Sequence, residues 1–188
     1  MPMKDRAGWC KRVLRTRENA RIRPWLTDRS SLTERLRALG AFSLTRLSQH
    51  QAWPTREEAY LLRLKPKQLA RSREVVLLCN GQPVVFAHTI LPRQPRGPLT
   101  RWLARLGNRS LGALLFSHPG FLRGPLTACR IDRRHPLYLR ALKALRLTGT
   151  TSPTLWARRS RFTFGKQNVL VTEIFSPDLP RFFSTSAD

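Results

Sequence analysis

Acidic side chains are scarce in this sequence: 11 Asp and Glu stand against 35 Lys and Arg, for a formal net charge of +24. With so few carboxylates, any that falls within an apolar stretch needs a reason to be there, because an unpaired buried acid is costly. Cysteine is scarce too. Cys10, Cys79 and Cys129 are odd in number and nowhere spaced as CxxC, which argues against a disulfide framework and a thiolate metal site. His50, His88, His118 and His135 are scattered, with no HxxxH pair and no carboxylate at ligand spacing, so a metal enzyme is disfavoured and no metal is expected. No apolar run approaches the ~18 residues of a membrane span, and the Arg-rich start lacks an apolar core followed by a small-residue cleavage site. The expectation is a soluble, unprocessed, cytoplasmic protein.

What is present fits one folded domain: 188 residues, of which 41% are hydrophobic, suffice for a real core. The arginine excess puts nucleic acid or an anionic surface among the partners to weigh. The basic residues run through nearly the whole length rather than forming a tail, so no obligatory nucleic-acid partner is expected. Residues 1–24 read as a basic arm, with Trp9 and Trp25 tucking onto the body. Residues 25–180 read as the domain, and 181–188 as a polar tail that frays. Ser31 and Glu34 stand at capping-box spacing before Leu32, Leu36 and Leu39, with Gly40 as a stop, which predicts a short helix. Phe42, Leu44 and Arg46 alternate as in a strand. Thr55 and Glu58 open a second helix, ended by Pro66. Leu99 to Leu106 and Leu111 to Phe116 predict further helices, the latter N-capped by Ser110. Residues 130–153 form a basic insertion in which Pro136 to Leu147 read as a surface helix.

Two hairpins dominate. EVVLLC and PVVFAHTI flank Asn80-Gly81, a strong two-residue turn signal. Counting outward from that turn pairs Leu77 with Val84, Val75 with Phe86 and Arg73 with His88, all on one face. In the second hairpin, Leu155 to Pro177, a four-residue Gly-Lys-Gln-Asn turn pairs Phe164 with Val169, Phe162 with Val171 and Ser160 with Glu173. Each apolar face thus carries a charge. Glu173 reads equally well as half of a buried ion pair or as a functional acid, and Arg73 as a strand-edge residue or a ligand clamp. Arg158, Arg159 and Arg161 read as a solvated edge that steers anions.

The ordered set REVVLLCNGQPVVFAHTILP, NRSLGALLF and LWARRSRFTFGKQNVLVTEIFSP, with a weaker match in WLTDRSSLTERL, resembles the bacterial chorismate pyruvate-lyase family over about half the chain. The resemblance implies an α/β domain of the α+β type: a mainly antiparallel sheet flanked by short helices, with a buried site closed by helical flaps. It also implies cofactor-independent cleavage of chorismate to 4-hydroxybenzoate and pyruvate, the first committed step of ubiquinone synthesis. Carried over by position, its ligand-binding arginine falls on Arg73, its buried glutamate on Glu173, and two backbone contacts on Leu111 and Leu32. His88 stands where a relative has arginine and would modulate the positive lining. In this reading Arg73 clamps a carboxylate, while Glu173 meets the ring hydroxyl and, kept protonated by burial, donates a proton. A monomer is expected, with the basic insertion available for transient contact with a membrane or a downstream prenyltransferase. A non-catalytic aromatic-acid sensor of the same fold and a basic nucleic-acid-binding protein are the alternatives.

Overall fold

The computed structural model describes residues 8–93, 101–102, 106–107, 110–147 and 153–179. Six strands form one antiparallel sheet: β1 (Phe42–Ala52), β2 (Ala70–Cys79), β3 (Gln82–Pro92), β4 (Phe121–Ile131), β5 (Leu155–Phe164) and β6 (Gln167–Phe175). Their order is β1-β2-β3-β6-β5-β4, so the two hairpins meet at the β3–β6 junction and fill the middle of the sheet. The apolar residues of β2, β3 and β6 run on nearly without alternation because both faces are covered. On the front lie α1 (Arg23–Thr27), α2 (Leu32–Leu39) and α4 (Leu111–Ser117). There Trp25, Leu26, Leu32 and Leu36 pack on Val75, Leu77 and Phe175. On the back lie α3 (Arg56–Leu62) and α5 (Tyr138–Ala144). Tyr138 and Ala141 pack on Val76, Phe86 and Ile174 there, and Leu62 packs on Ile90 and Leu170. No described helix is long and apolar enough to cross a membrane.

The turn at Asn80-Gly81 forms as expected, with φ of 51° and 76°, the positive pair that a type I′ hairpin requires. Asn80 also anchors its neighbour: its Oδ1 accepts from the Ala41 N–H at 2.8 Å, and a Cβ on Gly40 would stand 2.4 Å from that same oxygen. A side chain at position 40 would push the Asn80 side-chain amide aside. The predicted register does not hold beyond the turn. Leu78 pairs with Pro83 but Leu77 pairs with Val85, leaving Val84 as a bulge. One extra residue turns the rest of β3 over, so Arg73 pairs with Thr89 and His88 pairs with Glu74. His88 therefore lies on the back of the sheet, away from Arg73.

The second hairpin turns on two residues, Gly165-Lys166, with Phe164 opposite Gln167. Gly165 has φ 54° and Lys166 is not in the left-handed region, which suits a turn with glycine first. The shift relative to a four-residue turn is two positions, so every side chain keeps its face, but Glu173 now stands opposite Arg158 rather than Ser160. Smaller corrections are local. Helix α3 ends before Pro66, at Arg63 in the left-handed conformation. The helix in the basic segment spans Tyr138–Ala144 and covers the back of the sheet. The predicted Leu99–Leu106 helix lies mostly outside the described residues, as does the tail. The N-terminal arm covers the open edge of β4: Cys10 and Ala128 exchange two backbone hydrogen bonds of 2.9 Å, which blunts an edge that could otherwise recruit another strand. Trp9 lies beneath Arg159 at 3.9 Å.

Behind the sheet His88, 4% exposed, sits between two carboxylates, with Nε2 3.1 Å from Glu58 and Nδ1 3.1 Å from Glu74. Glu58 also completes the capping box of α3 with Thr55, and Arg140 of α5 pairs with Glu74. The imidazole thus ties α3 to β2 and β3, and Arg140 ties α5 to the same Glu74. Burial pushes the His88 pKa down, but the hydrogen bonds and charges of Glu58 and Glu74 outweigh it and the net shift is upward. A raised folded-state pKa means stability that is complete below the unfolded value of ~6.5 and lost as pH climbs through the folded value. His88→Gln should cost about 3 kcal/mol near pH 6, since it leaves the buried Glu58 without its cationic partner. Urea denaturation at pH 6 and pH 9 checks this: the wild-type advantage over the variant should shrink at the higher pH.

Candidate active site

The front face holds a pocket with about 50 Å³ of enclosed space between the sheet and the helices over it. Its floor is the sheet: Arg73 and Val75 of β2, Ala87 and Thr89 of β3, Val171 and Glu173 of β6, Ser160 and Phe162 of β5, and Arg123 of β4. Its cover is the first turns of α2 and α4, contributing Leu32 and Thr33 from one and Leu111 and Gly112 from the other. Four of the five residues singled out from the sequence, Arg73, Glu173, Leu32 and Leu111, meet here. His88 does not, because of the bulge at Val84.

Each cover helix begins where a serine takes an amide that the helix cannot. Ser31 Oγ accepts from Glu34 N at 3.4 Å and Ser110 Oγ from Ala113 N at 3.3 Å, which leaves the amides of the first turn directed at the pocket end. The reciprocal Glu34 half of the expected capping box is not formed. Thr33 Oγ1 and Ser110 Oγ lie 2.7 Å apart, so the helices are joined over the pocket by one hydroxyl pair. A Cβ on Gly112 would meet Thr33 Oγ1 at 3.1 Å. Glycine lets the two first turns come this close.

Arg73 is 1% exposed and its Nη2 donates to the Gly107 carbonyl at 2.8 Å. Burial, and then the nearby charge of Arg46, lower its pKa to about 10, so it remains cationic at neutral pH and favours an arriving anion. Glu173 is not the lone acid it looked like in the sequence. Arg158 Nε donates to its Oε2 at 2.5 Å, and Arg158 Nη1 donates to the carbonyls of Trp25 at 2.6 Å and Asp28 at 2.8 Å. Arg158 is 1% exposed; it lies behind the site, holding the pocket residue Glu173, and not on a solvated edge. A salt-bridged carboxylate offers the pocket a hydrogen-bond acceptor, and Glu173 Oε1 has no partner among the described residues.

The sequence reading missed two arginines, Arg158 and Arg123. For Arg158 a signal existed: a two-residue turn at Gly165-Lys166 places it directly opposite Glu173. For Arg123 there was none, because its place depends on pairing with β5, 39 positions away at Phe162.

A family model described as chorismate lyase matches residues 3–187. A probable chorismate pyruvate-lyase of Dechloromonas aromatica is 48% identical over 157 residues, covering 83% of this chain and 86% of that protein. One from Aromatoleum aromaticum is 44% identical, covering 91% and 92%. Among solved structures, the effector domain of PhnF from Mycobacterium smegmatis aligns with a TM-score of 0.55 at 16% identity over 79% of this chain and 90% of that one. The C-terminal domain of the histidine utilization repressor from Pseudomonas syringae gives 0.53 at 13% over 73% and 93%. At such identities the likeness is one of fold.

The Arg158–Glu173 pair carries a stability prediction. Arg158→Met should destabilise the protein by about 3 kcal/mol or more, since it breaks a buried pair and strands one charge. Adding Glu173→Gln should return part of that loss. Chemical denaturation of the two single variants and the double variant measures the coupling.

Proposed function

The chain belongs to the chorismate lyase family, and we propose that it cleaves chorismate to 4-hydroxybenzoate and pyruvate, the supply of 4-hydroxybenzoate for ubiquinone synthesis. The observation that carries this reading is one pocket joining Arg73, Glu173 and the first turns of two helices. Chorismate is a planar-ended dianion, and guanidinium is the side chain suited to clamping a carboxylate with two hydrogen bonds. Arg73 takes the ring carboxylate, with the Leu111 and Leu32 amides sharing its charge. Glu173, held by Arg158, accepts a hydrogen bond from the ring hydroxyl and so fixes the other end of the ring. This modifies the proton-donor role read from the sequence, because a carboxylate already bonded to a guanidinium serves better as an acceptor.

In the reaction the ether C–O bond to the ring breaks and the ring carbon bearing the hydroxyl loses its hydrogen as the ring becomes aromatic. The enolpyruvyl methylene gains a hydrogen and leaves as the methyl of pyruvate, so atoms balance without an oxidant or a cofactor. Aromatisation supplies the drive. The protein holds the ring in a reactive conformation and screens two negative charges, and orientation alone can contribute ~7 kcal/mol or more.

A binding role without chemistry has one observation in its favour, the fold shared with effector domains. Release of pyruvate and the appearance of 4-hydroxybenzoate absorbance on adding chorismate decide between the two, and their absence would remove the lyase. Arg73→Ala should weaken chorismate and 4-hydroxybenzoate binding more than tenfold, in line with the ~1.5–3 kcal/mol of a charged hydrogen bond; near wild-type kinetics would reject its role. Leu32→Met should leave kcat/KM within about threefold if the amide makes the contact.

A further inference from the structure

Chorismate carries a second carboxylate on its enolpyruvyl arm, for which the roles assigned so far provide no cation. Resting on the lyase reading, we propose that Arg123 binds this carboxylate and thereby holds the leaving group. Arg123 lies on the edge strand β4 opposite Phe162, a pocket residue, so both face the cavity. Beyond it the register slips between Arg123 and Leu126, where Gly124 and Pro125 are accommodated, and such a bulge re-aims the side chain beside it.

The guanidinium is fixed but not neutralised. Its Nε donates to Ser160 Oγ at 3.0 Å and its Nη1 to the Arg29 carbonyl at 2.6 Å. Its Cζ stands 5.2 Å from the Phe116 ring centroid and 5.4 Å from that of Phe162. Every one of these partners is uncharged. Among the described residues no carboxylate forms a salt bridge with Arg123, whereas Arg158, the other arginine of this region, has Glu173. Burial, and then the charge of Arg158, lower its pKa to about 10 against the opposing pull of the Glu173 and Asp28 charges, which marks a cation that an incoming anion would relieve.

The charge count has the same sense. Arg73 and Arg123 both line the pocket, one guanidinium for each carboxylate of a dianionic substrate. A monoanionic ring acid would leave one of them unanswered. Substrate and product therefore differ chiefly at Arg123, and an interaction with the departing fragment carboxylate serves leaving-group binding rather than product retention.

The test compares Arg123→Gln and Arg123→Lys with wild type, using chorismate, 4-hydroxybenzoate and the chorismate monomethyl ester blocked at the enolpyruvyl carboxylate. Wild-type turnover of chorismate is confirmed first; its failure would remove the lyase reading itself and is distinct from the outcomes below. Arg123→Gln should weaken chorismate at least tenfold in kcat/KM, while changing 4-hydroxybenzoate affinity and the kcat/KM of the ester by less than threefold. Arg123→Lys keeps the charge but loses the fork and should fall between wild type and Gln for chorismate. It also serves if the Gln variant does not fold. Equal losses with chorismate and ester, or no loss with chorismate in either variant, would overturn the assignment.

Discussion

The buried charge of Arg158 is the constraint around which the front of this protein is arranged. A guanidinium removed from water must be answered by acceptors on every side, and two parts of the chain supply them. Glu173 comes from the neighbouring strand, and the carbonyls of Trp25 and Asp28 come from the end of α1. Satisfying one cation thus locks the N-terminal helix to the sheet and fixes an acid in the pocket wall. Structure and site share the same bonds here, so Glu173 cannot be altered for chemistry without disturbing the fold around Arg158.

A sheet with both faces covered makes this possible. Because helices lie on the front and back, the same strands serve two sets of polar residues without mixing them. Odd-numbered residues of β2 put Arg73 in the pocket, while its neighbour Glu74 joins His88, Glu58 and Arg140 behind. The back network braces α3 and α5 against the strands that carry the site. Its contribution depends on a protonated imidazole, whereas the front depends on guanidinium, which stays charged throughout the neutral range. The two sides therefore respond differently to pH.

Much of the site was legible in the residues because charges are conspicuous on apolar strands. Arg73 and Glu173 stood out by alternation alone, and Ser31 and Ser110 marked the helix starts whose first turns cover the pocket. His88 falls on the wrong face when alternation is counted from the turn, because that count assumes an unbroken ladder and one bulged valine reverses every face beyond it. Arg158 escapes notice when the turn is taken as four residues rather than two. That error moved each cross-strand partner by two positions without changing any face, so the pocket looked the same while its ion pair vanished.

The sequence by itself determined the two hairpins, the Asn-Gly turn, the capped helices and the charges on the strand faces, because these follow from local propensity and periodicity. Tertiary structure alone decided which charges meet. That β3 and β6 join the hairpins, that β4 returns to the far edge and brings Arg123 beside Phe162, and that α1 lends its carbonyls to Arg158 are pairings between distant segments. They are set by the joint burial of surfaces that no local stretch of sequence contains.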